Sequence, residues 1–538
     1  MASPRARRTQ RPHGQPPSKS VGAGTTPFDA LYRAGLKHLD AHEYPEAIAQ
    51  FEAALLDNPP PDKQAAVLFG LANAARRVGH PRAAEAFYSR VLAIDPTRIE
   101  ALVNLANLHR STGRLREAQI LIAEALSTDP EAPELWLTLA NVMRDMDDTT
   151  SADTFLTEAL RLRPGYPAAL AGQADLLVDR GEPARALETY TAALRKDPTN
   201  PQIHFNRSLV LLSEGHLAEG WRDYAFRFQA ASPPLRPTHS LKLWKGEALP
   251  KGKLLISAEQ GLGDQLIFAS CFADAIARAG ALHTLIECEP RLIPLFARSF
   301  PQASVHPLKA RDQGGVRILD YDWLEAEGGA THVAAMGDLP ALLRPSIESS
   351  PKTTAYLRPD TDKSCAWRRW LGQLPDGPLI GLCWRSGKMG GSRTRQFAPM
   401  SAWAEFLHET PGVFVSLQYD GTPEEIASLA EASGREIHVP PGLDQKNDLD
   451  GAAALMSGLD AVVTAPTAVS AISASVGTPT LKILFDRSWT SLGQSYEPLS
   501  PACQLMRPDT PGDWASAFAK AHHALEADPW VQLSDHPA

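Results

Sequence analysis

The chain reads as an α-helical repeat array followed by an α/β region made of two halves, each with a parallel sheet. Three observations predict this. Small residues, glycines and prolines recur in columns spaced 34 residues apart as far as Pro234. Beyond Pro234 that period gives way to short apolar runs alternating with amphipathic helical ones. Gly-rich turns separate the runs, as strand–helix–strand units require.

The first 27 residues carry Arg5, Arg7, Arg8 and Arg11 but lack the apolar stretch of a secretory signal, which predicts a disordered basic tail over 1–27. The repeats follow over 28–234. Pro96, Pro130, Pro164 and Pro198 form one column, and Gly79, Gly113, Asp147, Gly181 and Gly215 form another. Ala84, Ala118, Ala152, Ala186 and Gly220 make a third, and Gly35, Ala72, Ala106, Ala140, Ala174 and Ser208 a fourth. Glycine closes a first helix in the left-handed conformation, small residues let two helices approach, and proline ends the second helix. With three extra residues after Pro61, an earlier copy that includes Gly35 joins the register through Ala47, Phe51, Ala54 and Pro59, giving six copies with a degenerate last one.

From 235 the elements alternate. KLLIS (253–257) is a strand, QLIFASCFADAIARAG (265–280) a helix and ALHTLIECE (281–289) a strand, with SPPLRPTHSLKLWKGEALPKG before them expected as an irregular connector. The pattern restarts after residue 370 with strands at 379–384, 413–418, 460–465 and 480–485 and helices at 401–409, 424–433 and 470–477. The predicted halves are therefore 235–370 and 371–538. Ligands of such sheets bind at the carboxyl ends of strands, so the cleft between halves is the expected site.

Composition excludes several classes. Net charge is −9, which lacks the footprint of nucleic-acid binding. Five dispersed cysteines without C-x-x-C exclude a disulfide scaffold or a cysteine-rich zinc module and favour a reducing compartment. No apolar run is long enough to span a bilayer, so a cytoplasmic protein is expected. H-E-x-x-H and G-x-S-x-G are absent, which leaves zinc hydrolase and serine esterase chemistry without support. Asp320-Tyr321-Asp322 spells D-x-D but reads as solvated acids, as do Asp145, Asp147 and Asp148 in a repeat loop.

Three segments carry candidate chemistry. SAEQGLGDQLIFAS puts Gly261, Gly263 and Asp264 between a strand and a helix start; the alternative is a tight turn with Asp264 as the helix cap. GLCWRSGKMGGSRTRQF concentrates Arg385, Ser386, Lys388, Arg393 and Arg395 beside glycines at a strand end, fit for a diphosphate or carboxylate, or else a solvated basic loop. TAPTAVSAISASVGTPT offers Thr467, Ala468, Val469 and Ser470 at a helix N-terminus, either a phosphate site or a Thr cap with close packing. In the repeats, Asn73, Asn107, Asn141 and Asp175 share one position, with Asn104 and Asn206 three residues earlier in their copies. Amides there could hold an extended peptide backbone, or could simply solvate a helix face.

The 34-residue period resembles tetratricopeptide repeats (TPRs), whose copies stack into a superhelix with a concave groove. Six such repeats followed by W-K-G-E-x-L-x-G-K-L-L-I and E-Q-G-L-G-D-Q resemble the bacterial TPR-coupled GT-B glycosyltransferases. That group is similar to heptosyltransferases and O-GlcNAc-transferase-like enzymes. The W-R-S-G-K and A-P-T-A-V-S forms look most like the flagellin-modifying members, which implies an acceptor protein in the TPR groove and transfer of a nonulosonic sugar such as pseudaminic acid to Ser or Thr. The resemblance makes 235–370 the acceptor side and 371–538 the nucleotide-sugar side, with no cofactor or metal beyond a CMP- or UDP-sugar co-substrate. It implies Asp264 as base, Arg385, Lys388 and the Thr467 turn as phosphate ligands, and Gln418 and Tyr419 beside the nucleotide. The family's usual Asp, Ser and His in the last motif are Pro466, Ala468 and Ala471 here, which argues against an ADP-heptose donor.

Overall fold

Proline and glycine punctuate the helical region as their backbone constraints demand. The computed structural model describes residues 26–231, 233–351, 353–387 and 391–526, the side chains of 391–393 excepted. The expected tail, apart from its last two residues, therefore lies outside the described residues, as does Lys388. The chain divides into two units, Met1–Asp95 and Pro96–Ala538.

The first unit holds α1 (Pro27–Asp40), α2 (Tyr44–Leu56), α3 (Pro61–Arg77) and α4 (Pro81–Ile94). The Thr26 hydroxyl caps α1 by accepting from the Asp29 N–H. Phe51 of α2, fully buried, is wedged against Gly35 of α1 and Gly70 of α3; a β-carbon at either glycine would sit 2.5–2.6 Å from its ring. The small residue at Gly35 is thus a steric requirement of the aromatic opposite it.

The second unit opens with four more helix pairs: α5 (Ile99–Ser111) with α6 (Leu115–Thr128), α7 (Pro133–Asp145) with α8 (Thr149–Leu162), α9 (Pro167–Asp179) with α10 (Pro183–Lys196), and α11 (Pro201–Ser213) with a shortened α12 (Leu217–Tyr224). A one-turn α13 (Arg227–Ala230) follows. Ala106, Ala118, Ala140, Ala152, Ala174 and Ala186 are all buried at the helix contacts. Gly113, Gly181 and Gly215 turn with φ between +75° and +81°, and Asp147 fills the same role at +66°.

The α/β region carries two wholly parallel sheets. The first has the order β2 (Lys242–Leu243), β8 (His332–Ala335), β3 (Lys253–Ser257), β4 (His283–Cys288), β5 (Ala303–Pro307). A small side sheet joins β1 (Leu235–Pro237), β7 (Val316–Leu319) and β6 (Ala310–Gln313). The expected connector therefore supplies two strands, β1 and β2, because the edges of β7 and β8 offer backbone groups that need partners. The expected helix after β3 starts earlier, at Leu262, and is broken: α14 (Leu262–Phe268) passes through a 3₁₀ turn at Ala269–Cys271 into α15 (Phe272–Ala279). Two short helices, α16 (Ile293–Ser299) and α17 (Leu339–Leu343), complete this half.

The second sheet has six strands in the order β11 (Ile437–His438), β10 (Val413–Ser416), β9 (Leu379–Cys383), β12 (Ala461–Thr464), β13 (Thr480–Ile483), β14 (Cys503–Met506). Its helices are α18 (Thr361–Leu371), α19 (Met400–Glu409), α20 (Pro423–Ser433), α21 (Leu449–Met456), α22 (Ala468–Ser475) and α23 (Trp514–Glu526). Helix α18, which ends at the expected boundary between halves, packs on α21 and so goes with the second sheet. Strand β9 pairs with β10 on one side and β12 on the other, so the strand order reverses direction there, where such sheets open a crevice.

Candidate functional site

The segments singled out in the sequence meet around one cavity of about 830 Å³. The turn after β3 brings Gly261, Gly263 and Asp264; the loop after β9 brings Ser386; the end of β10 brings Tyr419. The turn between β12 and α22 adds Thr467, Ala468, Val469 and Ser470. All of these come from loops, or from the first turn of the helix that follows, at the carboxyl ends of parallel strands.

The first turn differs from its expected construction. Gly261 has φ −83° and Gly263 lies within α14, so neither glycine carries the sharp bend. Gln260 does, at φ +59°, a conformation that costs a residue with a β-carbon about 1 kcal/mol or more. Asp264 is the third residue of α14 rather than its cap, and its Oδ2 accepts from the Gly261 N–H at 3.1 Å. Desolvation raises the Asp264 carboxyl above the usual carboxylate range; the Gly261 N–H and Lys482 oppose the rise and Glu497 adds to it. A carboxyl so raised binds a proton more readily than an exposed aspartate does.

Behind this turn, Glu259 is buried and receives both arms of Arg227 at 2.6 and 2.7 Å, together with the Gly337 N–H at 2.6 Å. Arg227 also reaches Asp338 at 2.7 Å. The end of the helical region is thereby fastened to the turn that carries Asp264. Glu287 on β4 holds the same turn through the Ala258 N–H at 3.0 Å and accepts from the Tyr321 hydroxyl at 2.9 Å.

On the opposite wall two expected ligands have other work. The Arg385 guanidinium is taken by Glu425, at 2.6 and 2.8 Å, and by Asp420 at 3.0 Å. It is not a cavity-lining phosphate ligand; two carboxylates neutralise it and it shapes the loop. Gln418 is likewise beneath the surface: its Oε1 accepts from the Trp384 and Arg385 N–H groups at 3.0 and 3.1 Å, and its Nε2 donates to the Arg385 carbonyl and Asp420. Tyr419 does face the cavity, its hydroxyl accepting from the Gly387 N–H at 2.6 Å. The side chain of Arg393 lies outside the described residues. Thr467 caps α22, its Oγ1 accepting from the Val469 N–H at 3.3 Å.

Cations that the sequence reading passed over line the cavity instead. Arg291 bonds Glu289 and the Lys446 carbonyl, Lys446 stands exposed at the rim, and Lys482 is buried on β13. Gln445 donates to the Ser416 carbonyl at 3.0 Å while its Oε1 is buried without a partner among the described residues. None of these combines a cation with a Gly-rich turn directly after a strand, and Arg291 and Lys446 sit among carboxylates in the linear sequence.

The repeat-position residues are all half-buried on the first helix of their pairs, and most are tied into the array. In the first unit the Tyr88 hydroxyl donates to Asn73 at 2.5 Å. In the second, Asn107 accepts from Arg110 at 2.8 Å. Asp175 accepts from Arg144 at 2.7 Å, from Tyr190, and from Asn206 at 3.2 Å. Asn104 and Asn141 sit on α5 and α7. The ladder is therefore partly a lateral staple between copies, in addition to any surface it offers. A second repeated staple, Arg110 to Asp145 and Arg144 to Asp179, went unread although both members recur at 34 residues. Asp179 also receives Arg395 from the loop after β9, and Arg395 lies 3.4 Å from Asp147.

Asp322 pairs with Lys309 at 3.1 Å and Tyr321 points inward to Glu287, so the D-x-D segment forms a polar corner. Among the described residues no group of three or more His, Cys, Asp or Glu is arranged to hold a metal ion, and no helix is long and apolar enough to cross a membrane.

The chain carries tetratricopeptide repeats, followed by an α/β region of parallel sheets around a cavity lined by both polar and apolar groups. Models of the tetratricopeptide repeat match residues 75–142 in one form, and 32–99 and 171–233 in another. Protein FlbA of Caulobacter vibrioides is 37% identical over 327 residues, which is 60% of this chain and 54% of that protein. The chain thus spans about half the length of the curated relative it matches. Among solved structures, a thermophilic TPR protein of Thermus thermophilus is 23% identical with a TM-score of 0.31, covering 34% of this chain and 99% of its own. Pseudomonas aeruginosa pilF is 24% identical with a TM-score of 0.29, covering 37% and 86%.

Proposed function

We propose that the protein is a GT-B glycosyltransferase, inverting and metal-independent, that modifies Ser or Thr of a protein held by its repeats. Flagellin is the proposed acceptor and a nucleotide-activated nonulosonic acid the proposed donor. The observation that carries the reading is the convergence of the G-L-G-D turn, the W-R-S-G loop, Tyr419 and the P-T-A-V-S turn on one cavity at the strand ends. Similarity to Protein FlbA supports a flagellar connection.

In this reading the acceptor hydroxyl attacks the anomeric carbon as its proton passes to Asp264 Oδ, and the bond from that carbon to the nucleotide phosphate breaks. The raised Asp264 carboxyl suits a general base. Thr467 and Ala468, which line the cavity at the start of α22, are the groups that this reading sets against the developing phosphate charge. Arg385 serves the reaction indirectly, by holding the loop through Glu425 and Asp420.

The neutralised Arg385 favours a second reading, a TPR scaffold with an inactive transferase region, because it removes one cation from phosphate binding. A UDP-GlcNAc or heptose donor is the remaining variant of the first. The deciding experiment is intact-mass analysis of flagellin co-expressed with the protein in a host that makes nonulosonic acid. A sugar-sized increment is expected, falling by about 10²–10⁴ in rate with Asp264→Asn. Flagellin that binds the repeats yet gains no mass would establish the scaffold instead.

A further inference from the structure

The repeats change character where they meet the α/β region. Asn107, Asn141 and Asp175 stand at one position of successive first helices, and the next copy holds Leu209 there, on α11. The staple columns change with it. Arg110–Asp145 and Arg144–Asp179 are followed one period later by Val178 and Ser213, which cannot form an ion pair. All three replacements, Leu209, Val178 and Ser213, line one pocket of about 300 Å³. The second half supplies Pro466, Phe485 and Trp489 to the same pocket.

Packing alone does not account for the change. Val178, Leu209, Pro466, Phe485 and Trp489 are only half-buried, so these side chains surround a space instead of closing on one another. An unfilled apolar space forfeits dispersion contacts along its lining. Of the described residues on the wall Arg487 alone is charged, and Glu214 pairs with it. The pocket adjoins the large cavity, since Gln396, Pro466, Ser488 and Trp489 line both. One turn of an α-helix takes up roughly 400 Å³. The smaller pocket therefore fits side chains of an extended segment and not a folded element.

Resting on the reading of the chain as a transferase for a protein held by its repeats, we infer that this pocket receives an apolar side chain next to the modified hydroxyl of the acceptor protein, so that hydroxyls with an apolar neighbour are selected. Amides along the repeats can hold any extended backbone. The pocket adds a side-chain requirement where the repeats reach the cavity. A charged neighbour would lose its hydration there and gain no partner, because Arg487 is already taken. The proposed donor is a poor occupant for the same reason, since an acidic sugar on a phosphate brings charge that the apolar wall does not meet.

The test changes the neighbours of the modified Ser or Thr in flagellin, one at a time, to Leu, Gln or Asp. Where no sugar is transferred, the hydroxyls used are those that the full chain protects from hydrogen exchange. In the native chain, kcat/KM for transfer should be at least about tenfold higher with Leu than with Asp at the position that reaches the pocket. Val178→Phe fills the pocket, and Leu209→Asn returns the residue type that earlier copies hold. Either should bring that ratio towards one and leave the donor KM unchanged. The series on the native chain stands even if a variant does not fold. Equal rates with Leu and Asp overturn the inference, as does a preference that both folded variants keep. A donor KM that rises in Val178→Phe while the preference persists gives the pocket to the donor and also overturns it. Calorimetry of flagellin binding to the full chain separates the two levels. A Leu-over-Asp preference in binding, lost in Val178→Phe, in a chain that transfers no sugar keeps the pocket and sinks the glycosyltransferase reading; transfer that ignores the neighbour does the reverse, and flagellin that neither binds nor gains mass removes both.

Discussion

The carboxylates of the helical repeats and those around the first sheet's strand ends are held in opposite ways. In the repeats, Asp29, Asp148 and Glu158 are pulled below their ordinary range by side-chain hydrogen bonds from Lys63, Ser151 and Arg161. Around the turn that carries Asp264, the carboxyls of Glu259, Asp264 and Glu287 are all pushed up by burial. The first set lies in water-facing contacts. The second set is sunk into the protein. Exposure therefore marks interactions that are individually dispensable, and burial marks those that are not.

The largest effect should come from breaking the buried set. Arg227→Met leaves Glu259 charged and unpaired in the interior and should lower stability by about 3–5 kcal/mol. The repeat staple Arg110–Asp145, part-exposed on both sides, should lose less than about 1 kcal/mol in Arg110→Ala. Denaturant midpoints of the two variants, measured side by side, check the contrast. Adding Glu259→Leu to Arg227→Met should recover much of the loss; an Arg227→Met midpoint equal to that of Arg110→Ala would remove the distinction.

A pH series sharpens the same comparison at Glu287. Its carboxyl is fully buried and pushed up to about 7, from an ordinary 4.5, chiefly by desolvation. The folded state thus retains a proton that the unfolded state releases as pH rises above 4.5. Stability contributed by this group is complete below that value, declines as pH rises to about 7, and is level above it. Glu287→Gln does not titrate. Whatever constant offset its amide introduces, its stability relative to the native chain should improve by about 3 kcal/mol between pH 4.5 and pH 8. Thermal melts across that range test it, and a difference that does not change with pH would contradict burial as the cause.

How much of the molecule the sequence makes legible follows from the same contrast. The helix pairs are readable because one steric job recurs: Ala106 and Ala118, buried in one helix pair, return as Ala140 and Ala152 a period later. The walls of the cavity were legible where a motif crowds glycines, hydroxyls or charges into a few residues, as at Gly261–Asp264 and Thr467–Ser470. What such crowding could not reveal is where each side chain turns. Arg385 looks like a phosphate ligand in the linear sequence, yet Asp420 and Glu425, 35 and 40 residues later, claim it. Lys482 sits in a run, Thr-Leu-Lys-Ile, that reads as an ordinary strand, and only the chain folding Glu497 back onto it discloses the ion pair.

The smallest expected effect lies where the two regions use one residue. Asp147 stands in the glycine column, at φ +66°, where its neighbours one repeat away are Gly113 and Gly181. Left-handed backbone costs a side-chain-bearing residue about 1 kcal/mol, so Asp147→Gly should relieve strain in the repeat. The side chain's return for that strain is its approach to Arg395 at 3.4 Å, with the carboxylate 72% exposed, an arrangement worth a few tenths of a kcal/mol at most. Arg395 keeps its better-buried partner Asp179 in either case. Asp147→Gly should therefore raise the thermal midpoint slightly, by up to about 1 kcal/mol of stability. The gain should persist in an Arg395→Gln background, since backbone strain and not the ion pair sets the sign. A loss of stability in the native background that disappears in Arg395→Gln would mean that the Arg395 contact, and not the turn, decides which residue stands at this position.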